Sequence, residues 1–236
     1  MIKESPMANG EIGFATFESF KAWFDEKTKD HPLKNGRWGP FTEDFARGRV
    51  PRELLKEYGK QLYIHIQLTN VYTTWLLVSL SRLWLKYADL YDIIAAKMGS
   101  ELADPKPGGH GRTFVKFAHS IGLSDEDLFY AKPALDTEAR LNRFVNRAPS
   151  PALTAVDWML EGLVGHFMKV NRDILHEKYG LTDEDLEYFD IHIQADLEEH
   201  GPEGEMLLER LYHLGLVTED DYPAMSMRVE RAIAGW

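Results

Sequence analysis

The chain has 236 residues, 44% of them apolar, no cysteine and a formal charge of −11. That apolar content supports one sizeable core, and the negative charge argues against a broad nucleic-acid surface or attachment to anionic lipid, both of which need a cationic face. Without cysteine there are no disulfides, thiolate ligands or cysteine nucleophiles, so any metal or covalent chemistry falls to His, Asp, Glu, Tyr or Lys.

No run approaches the 18 or so uninterrupted apolar residues of a membrane span, and the opening MIKESPMANGEIGF lacks the apolar block of a secretory signal. The expectation is a soluble, cytoplasmic protein with a mobile tail over 1–13 and one helical domain over 14–236. Helical periodicity, punctuated by Pro, Gly and capping residues, dominates every long segment and makes the class all-α.

Phe14, Phe17, Phe20, Trp23 and Phe24 form an aromatic stripe at three-to-four spacing, which suits a core helix ending near Pro32. A short helix over about 41–46 stops at Gly48. Pro51 then starts a long helix to about Leu83, in which Tyr63, His65, Gln67, Asn70 and Tyr72 place polar groups within an apolar pattern. The next helix, about 84–102, breaks at DPKPGGHG, which sets Glu101 at the end of one helix and His110 at the start of another. Ser124 with three following acids reads as an N-cap, and Pro151 opens a helix to about Tyr179 carrying Asp157, Glu161 and His166. His166 lies about 140° around the helix from Glu161, so those two do not readily share an ion.

Thr182 caps the helix that holds LEYFDIHIQADLEEHGPEG. At about 100° per residue, His192, Asp196, Glu199 and His200 share one face, offering imidazoles and carboxylates to an iron, manganese or zinc ion. Gly201 and Pro202 are expected to end this helix, and two amphipathic helices, about 203–214 and 219–234, close the chain. Carboxylates and imidazoles contributed by separate helices are costly to bury alone, and a bundle interior commonly satisfies them with metal. Three carboxylates and three histidines divided between two ions give each about three ligands, with positions left open for dioxygen and substrate.

The order Glu101, His110 opening HGRTFVKFAHSIGLS, Glu161, then YFDIHIQADLEEHG resembles the haem-oxygenase-like di-iron oxidases and oxygenases, relatives of the PqqC and TenA proteins. HPLKNGRWGPFTEDFARGRVPRELLKEYGKQLYIHI resembles the N-terminal part of that superfamily, so the likeness spans roughly residues 31–215. The resemblance implies a bundle of about seven core helices and a homodimer. It also implies a non-haem di-iron site with two Fe(II) ions per chain, dioxygen as co-substrate and an external electron donor. Reactions of such enzymes on a small organic substrate include amine N-oxygenation, amino-acid oxidation or fragmentation, and decarboxylation of fatty acids, often in specialised-metabolite biosynthesis.

Carried over by position, Glu101, His110 and His192 would bind one iron, and Glu161, Asp196 and a histidine at the motif's end the other. In the family that histidine stands seven after the first; here the seventh position is Glu199 and the eighth is His200. Either the helix end is distorted so that His200 reaches the metal, or Glu199 is the ligand, or the second site is weak. Tyr63, His65 and Tyr188 are candidate substrate contacts, and Arg112 a candidate clamp for a carboxylate. Two other functions fit the pattern: a metal-free PqqC-like oxidase, and a helical binding protein without catalysis.

Overall fold

A computed structural model describes residues 5–6, 12–35, 40–79, 81–103, 109–134 and 150–235. Two two-residue strands, β1 (Ser5–Pro6) and β2 (Ile12–Gly13), pair antiparallel, and the other described elements are helical. In chain order the helices are α1 (Phe17–Thr28), a 3₁₀ turn (Pro32–Asn35), α2 (Pro40–Ala46), α3 (Arg52–Ser79), α4 (Ser81–Lys86), α5 (Ala88–Ala103), α6 (Gly109–Ser120) and α7 (Asp125–Phe129). There follow α8 (Pro151–Tyr179), α9 (Glu187–Gln194), a π-helical turn (Ala195–His200), α10 (Gly201–His213) and α11 (Tyr222–Gly235). The Pro/Gly break at 104–108 and the side chains of Asn70 and Tyr72 lie outside the described residues. Among the described residues, no helix is long and apolar enough to cross a membrane.

Local chemistry sets the helix starts and stops. Thr16 and Ser19 close a reciprocal capping box at α1, and Ser124 and Asp127 close another at α7. Thr182 and Asp185 make the same exchange one turn ahead of α9, and Gly122 and Gly180 end α6 and α8 with positive φ.

The chain divides into two compact units interleaved in sequence. The first comprises 1–39, 150–170 and 193–236. Its core is aromatic: the Phe14 ring meets Phe20 edge-on at 5.1 Å and Tyr222 at 5.8 Å. In this unit the first part of α8 packs directly on the π-turn and α10, backbone against backbone. A Cβ placed on Gly204 would lie 2.5 Å from the Met159 amide nitrogen and 2.8 Å from the Ala155 carbonyl oxygen. One on Gly165 would lie 2.7 Å from the Leu197 side chain, and one on Gly201 would lie 3.4 Å from the Gly162 Cα.

The second unit comprises 40–149 and 171–192, with α3, α5 and α6 packed on one another. Phe41 stacks on Phe45 and Tyr58, Phe45 stacks on Tyr179, and Phe114, Phe117, Tyr188 and Phe189 form an edge-to-face cluster. Such pairs add directional energy to the area they bury.

A side chain at Gly204 has nowhere to go except by parting two helices. Gly204→Val should destabilise the protein by about 3 kcal/mol and lower its thermal midpoint by roughly 6–12 °C. Gly99→Ala, on open helix surface in α5, should instead raise the midpoint slightly, because it removes only the entropic cost of a helical glycine. Calorimetry of the two variants checks both signs.

Candidate metal centre

In the first unit the helical path through His200 is the decisive local feature. Gly201 and Pro202 do not end the helix as expected; the chain passes from α9 through the π-turn into α10 without a break. Pro202 supplies the reason. It has no N–H to give the carbonyl four residues back, and in a regular α-turn its ring would press on that carbonyl. The backbone widens instead, and the Gly201 N–H donates to the Asp196 carbonyl, five residues back. A π-turn accommodates one extra residue without advancing the face that follows.

His200, the eighth residue from His192, is thereby rotated to a place the seventh would occupy in an unbroken α-helix. It is fully buried, whereas Glu199 is exposed. Its Nδ1 lies 3.1 Å from Asp196 Oδ1 and 3.4 Å from Glu161 Oε2. Glu161 lies on α8, which approaches the π-turn most closely at Gly165 and Gly201. One imidazole and two carboxylates thus converge within this unit.

The second unit holds the other trio. Gly109, with φ +53°, starts α6 so close to the end of α5 that a Cβ there would lie 1.9 Å from the Glu101 carbonyl oxygen. Only glycine tolerates both the approach and the dihedral. The next residue, His110, is 1% exposed and sets Nδ1 3.1 Å from Glu101 Oε2. The His110 and His192 rings are 4.4 Å apart. His192 Nδ1 lies 2.9 Å from the Tyr188 carbonyl oxygen, which only accepts. Nδ1 therefore carries the hydrogen and Nε2 the lone pair, the tautomer a metal-binding imidazole needs.

Lys97 completes this cluster and escaped sequence reasoning. It is 1% exposed, and its Nζ lies 2.7 Å from Glu101 Oε1. The signal was present: in IIAAKMGSEL the lysine stands one turn before Glu101 within an otherwise apolar stretch. Burial alone would push the Glu101 carboxyl up, but the Lys97 ammonium, with His110 and His192 beside it, holds it well below the usual carboxylate range.

The candidate substrate contacts are placed differently from one another. Tyr188 is 1% exposed, its ring 4.1 Å from His192 and edge-on to Phe114, so it braces a histidine in the core. Tyr63, half-buried on α3, stacks on Phe114, and His65, two residues further along, is half-buried. Arg112 is exposed. Asp157 is taken up by an ion pair with Arg228, and His166 is turned to the surface.

Each trio offers three hard or borderline donors, all buried except the half-buried Glu161: two imidazoles with one carboxylate in the second unit and one imidazole with two carboxylates in the first. Those sets fit iron. The matching family model is that of the iron-containing redox enzymes (Haem_oxygenas_2), and it covers residues 56–230, which include both trios. The chain belongs to that family. It is 25% identical over 190 residues to a 4-aminobenzoate synthase of Chlamydia pneumoniae, spanning 78% of this chain and 79% of that protein. A 4-aminobenzoate synthase of Chlamydia muridarum is 25% identical over 179 residues, 73% of this chain and 71% of that protein. Among solved structures it matches a domain of unknown function with a haem-oxygenase-like fold from Shewanella denitrificans. The TM-score there is 0.63 at 16% identity, covering 92% of this chain and 85% of that one. The haem-oxygenase-like all-α fold expected from the sequence is therefore the fold observed.

Because the folded-state pKa of Glu101 is depressed, its contribution to stability is complete above the ordinary carboxylate value of about 4.3 and is lost as pH falls through the lower folded value. Glu101→Gln leaves Lys97 buried without its counter-charge, at a cost of about 3–5 kcal/mol at neutral pH. Urea unfolding of the metal-free protein between pH 7 and pH 3 should show that gap narrowing only at the acid end.

Proposed function

We propose that the protein is a non-haem di-iron oxidase or oxygenase that uses dioxygen on a small organic substrate. Glu101, His110 and His192 hold one iron, and Glu161, Asp196 and His200 hold the second. The observation that carries this reading is the convergence of Glu101, His110 and His192, all buried, and of Glu161 on the buried Asp196 and His200, in a chain of the iron-containing redox enzyme family. Such groups are costly to bury without a cation to satisfy them.

Bound iron would supply redox equivalents and an open position for dioxygen. The chain's own residues hold and orient. Tyr188 fixes the His192 tautomer through its carbonyl and braces the ring with its own. The π-turn points His200 at two carboxylates, and the aromatic packing of Phe114, Phe117 and Phe189 keeps water from the neighbourhood of His192. Tyr63 and His65 remain the candidates for substrate contact, with Arg112 for a substrate carboxylate. Electrons beyond those the substrate gives up come from an external donor.

For the substrate class we favour an amine or amino acid, N-oxygenated or oxidatively fragmented in a biosynthetic step. The names of the two Chlamydia relatives support an amine-bearing product and make 4-aminobenzoate the first compound to assay.

Anaerobic loading with ferrous iron should give about two irons per chain, and admission of air should consume dioxygen. Glu161→Ala and His192→Ala remove a donor from different trios, so each should reduce bound iron to about one and abolish the uptake. Wild-type protein that binds no iron, or variants that bind as much as wild type, would remove the reading.

A further inference from the structure

We propose that Pro202 is a positioning residue: it holds the π-turn on its own N-terminal side and thereby selects an imidazole, His200, over a carboxylate, Glu199, as the third donor beside Glu161 and Asp196. The site is set in this way for borderline divalent ions such as iron and cobalt rather than for the harder manganese and magnesium. This inference rests on the metal-binding reading of that trio and adds to it the residue that chooses its donor set.

Packing on α8 fixes the helical faces on both sides of the turn. A Cβ on Gly165 of α8 would lie 3.0 Å from the Asp196 Cβ, and further along the chain Gly201 and Gly204 meet α8 at Gly162 and Met159. Counted from Asp196 at 100° per residue, an unbroken α-helix would turn Gly201 about 140° and Gly204 about 80° away. With one residue absorbed they fall about 40° and about 20° away, and both reach α8. The tightest contact, at Gly204, is met wherever the residue is absorbed between Asp196 and Gly204. Absorbed before Gly201, as observed, it sets His200 about 60° from Asp196, in the donor's place. Absorbed one turn later, it would set Glu199 in that place and turn His200 about 100° aside.

Pro202 excludes the later position. There the Gly201 N–H would return to the Leu197 carbonyl, and residue 202 would take a regular step onto the Glu198 carbonyl, where proline has no N–H to give and its ring collides. With the turn upstream, the Gly201 N–H donates to the Asp196 carbonyl and Pro202 falls in the first turn of α10, where a missing N–H costs nothing. Pro202 is exposed, as Glu198 and Glu199 are, so it acts through the backbone and not through a core contact. The consequence is chemical. Glu161, Asp196 and His200 offer one nitrogen and two carboxylates, whereas Glu161, Asp196 and Glu199 would offer carboxylates alone. Imidazole raises the preference for iron and cobalt, and an all-oxygen set suits manganese and magnesium.

The test compares Co(II) with Mn(II) by anaerobic equilibrium dialysis on the metal-free full-length chain carrying His192→Ala, which removes a donor from the other trio. In that background His200→Ala should weaken Co(II) binding, which assigns the site. Pro202→Ala should lower the ratio of Co(II) to Mn(II) affinity by about tenfold or more. Adding Glu199→Gln to Pro202→Ala should restore the ratio, because no rival carboxylate remains, and a merely structural defect would not be restored. Thermal melts of the metal-free variants show which are folded, and Pro202→Ser, which regains the same N–H, decides the matter if the Ala variant is not. A ratio that Pro202→Ala leaves unmoved, or a fall that Glu199→Gln does not reverse, overturns the role of Pro202 while the metal-binding reading stands. Co(II) binding indifferent to His200→Ala, or no metal bound at all, overturns both.

Discussion

The contact on which the first unit depends is the near-touching of two helical backbones, that of α8 against the π-turn and α10. It exists because glycine stands at 162, 165, 201 and 204, where a β-carbon at 165 or 204 would fall within 3 Å of a neighbouring atom. Helices with ordinary side chains between them stay about 8–10 Å apart. At that ordinary spacing a short side chain such as Asp196 would be hard put to share a histidine with a residue of the facing helix. The glycine contacts bring Glu161, Asp196 and His200 within hydrogen-bonding reach, and Pro202 supplies the widened turn that points the histidine inward. Packing, backbone strain relief and ligand placement are thus one constraint seen at three scales.

The second unit solves the same problem by another route. Close approach occurs at one point, where Gly109 starts α6 against the end of α5, and charge does the remaining work. A buried carboxylate, a buried ammonium and two imidazoles tilted against each other lie together, and an aromatic cluster around Tyr188 excludes solvent. Removing any single member would strand another in a low-dielectric interior, which is why the cluster reads as built rather than incidental.

Much of this was legible in the sequence, and what was not has a common cause. Capping residues at Ser124 and Thr182, proline at 151 and glycine at 122 and 180 mark helix ends by local chemistry, and the structure follows them closely. Glu101, His110, Glu161, His192, Asp196 and His200 were singled out in the sequence because their order and spacing resemble a family pattern, and the structure brings Glu101, His110 and His192 together in one unit and Glu161, Asp196 and His200 in the other. The π-turn was not. Counting at 100° per residue cannot find a change of hydrogen-bond step, and Gly201-Pro202 ordinarily signals a stop; here tertiary packing on α8 carries the helix through. Lys97 was missed for a related reason, since an i,i+4 lysine–glutamate pair usually marks a solvated surface, and only the packing of α5 shows that this pair is buried.

The central claim is that the widened turn delivers His200, and not Glu199, to a metal held with Glu161 and Asp196. The most direct measurement is a crystal structure of the iron-loaded protein with anomalous data collected on both sides of the iron K edge. The account predicts an iron peak bonded to His200, Asp196 and Glu161, and a second bonded to His110, His192 and Glu101. Iron bound by Glu199 with His200 turned away, or anomalous signal confined to surface carboxylates, would contradict it.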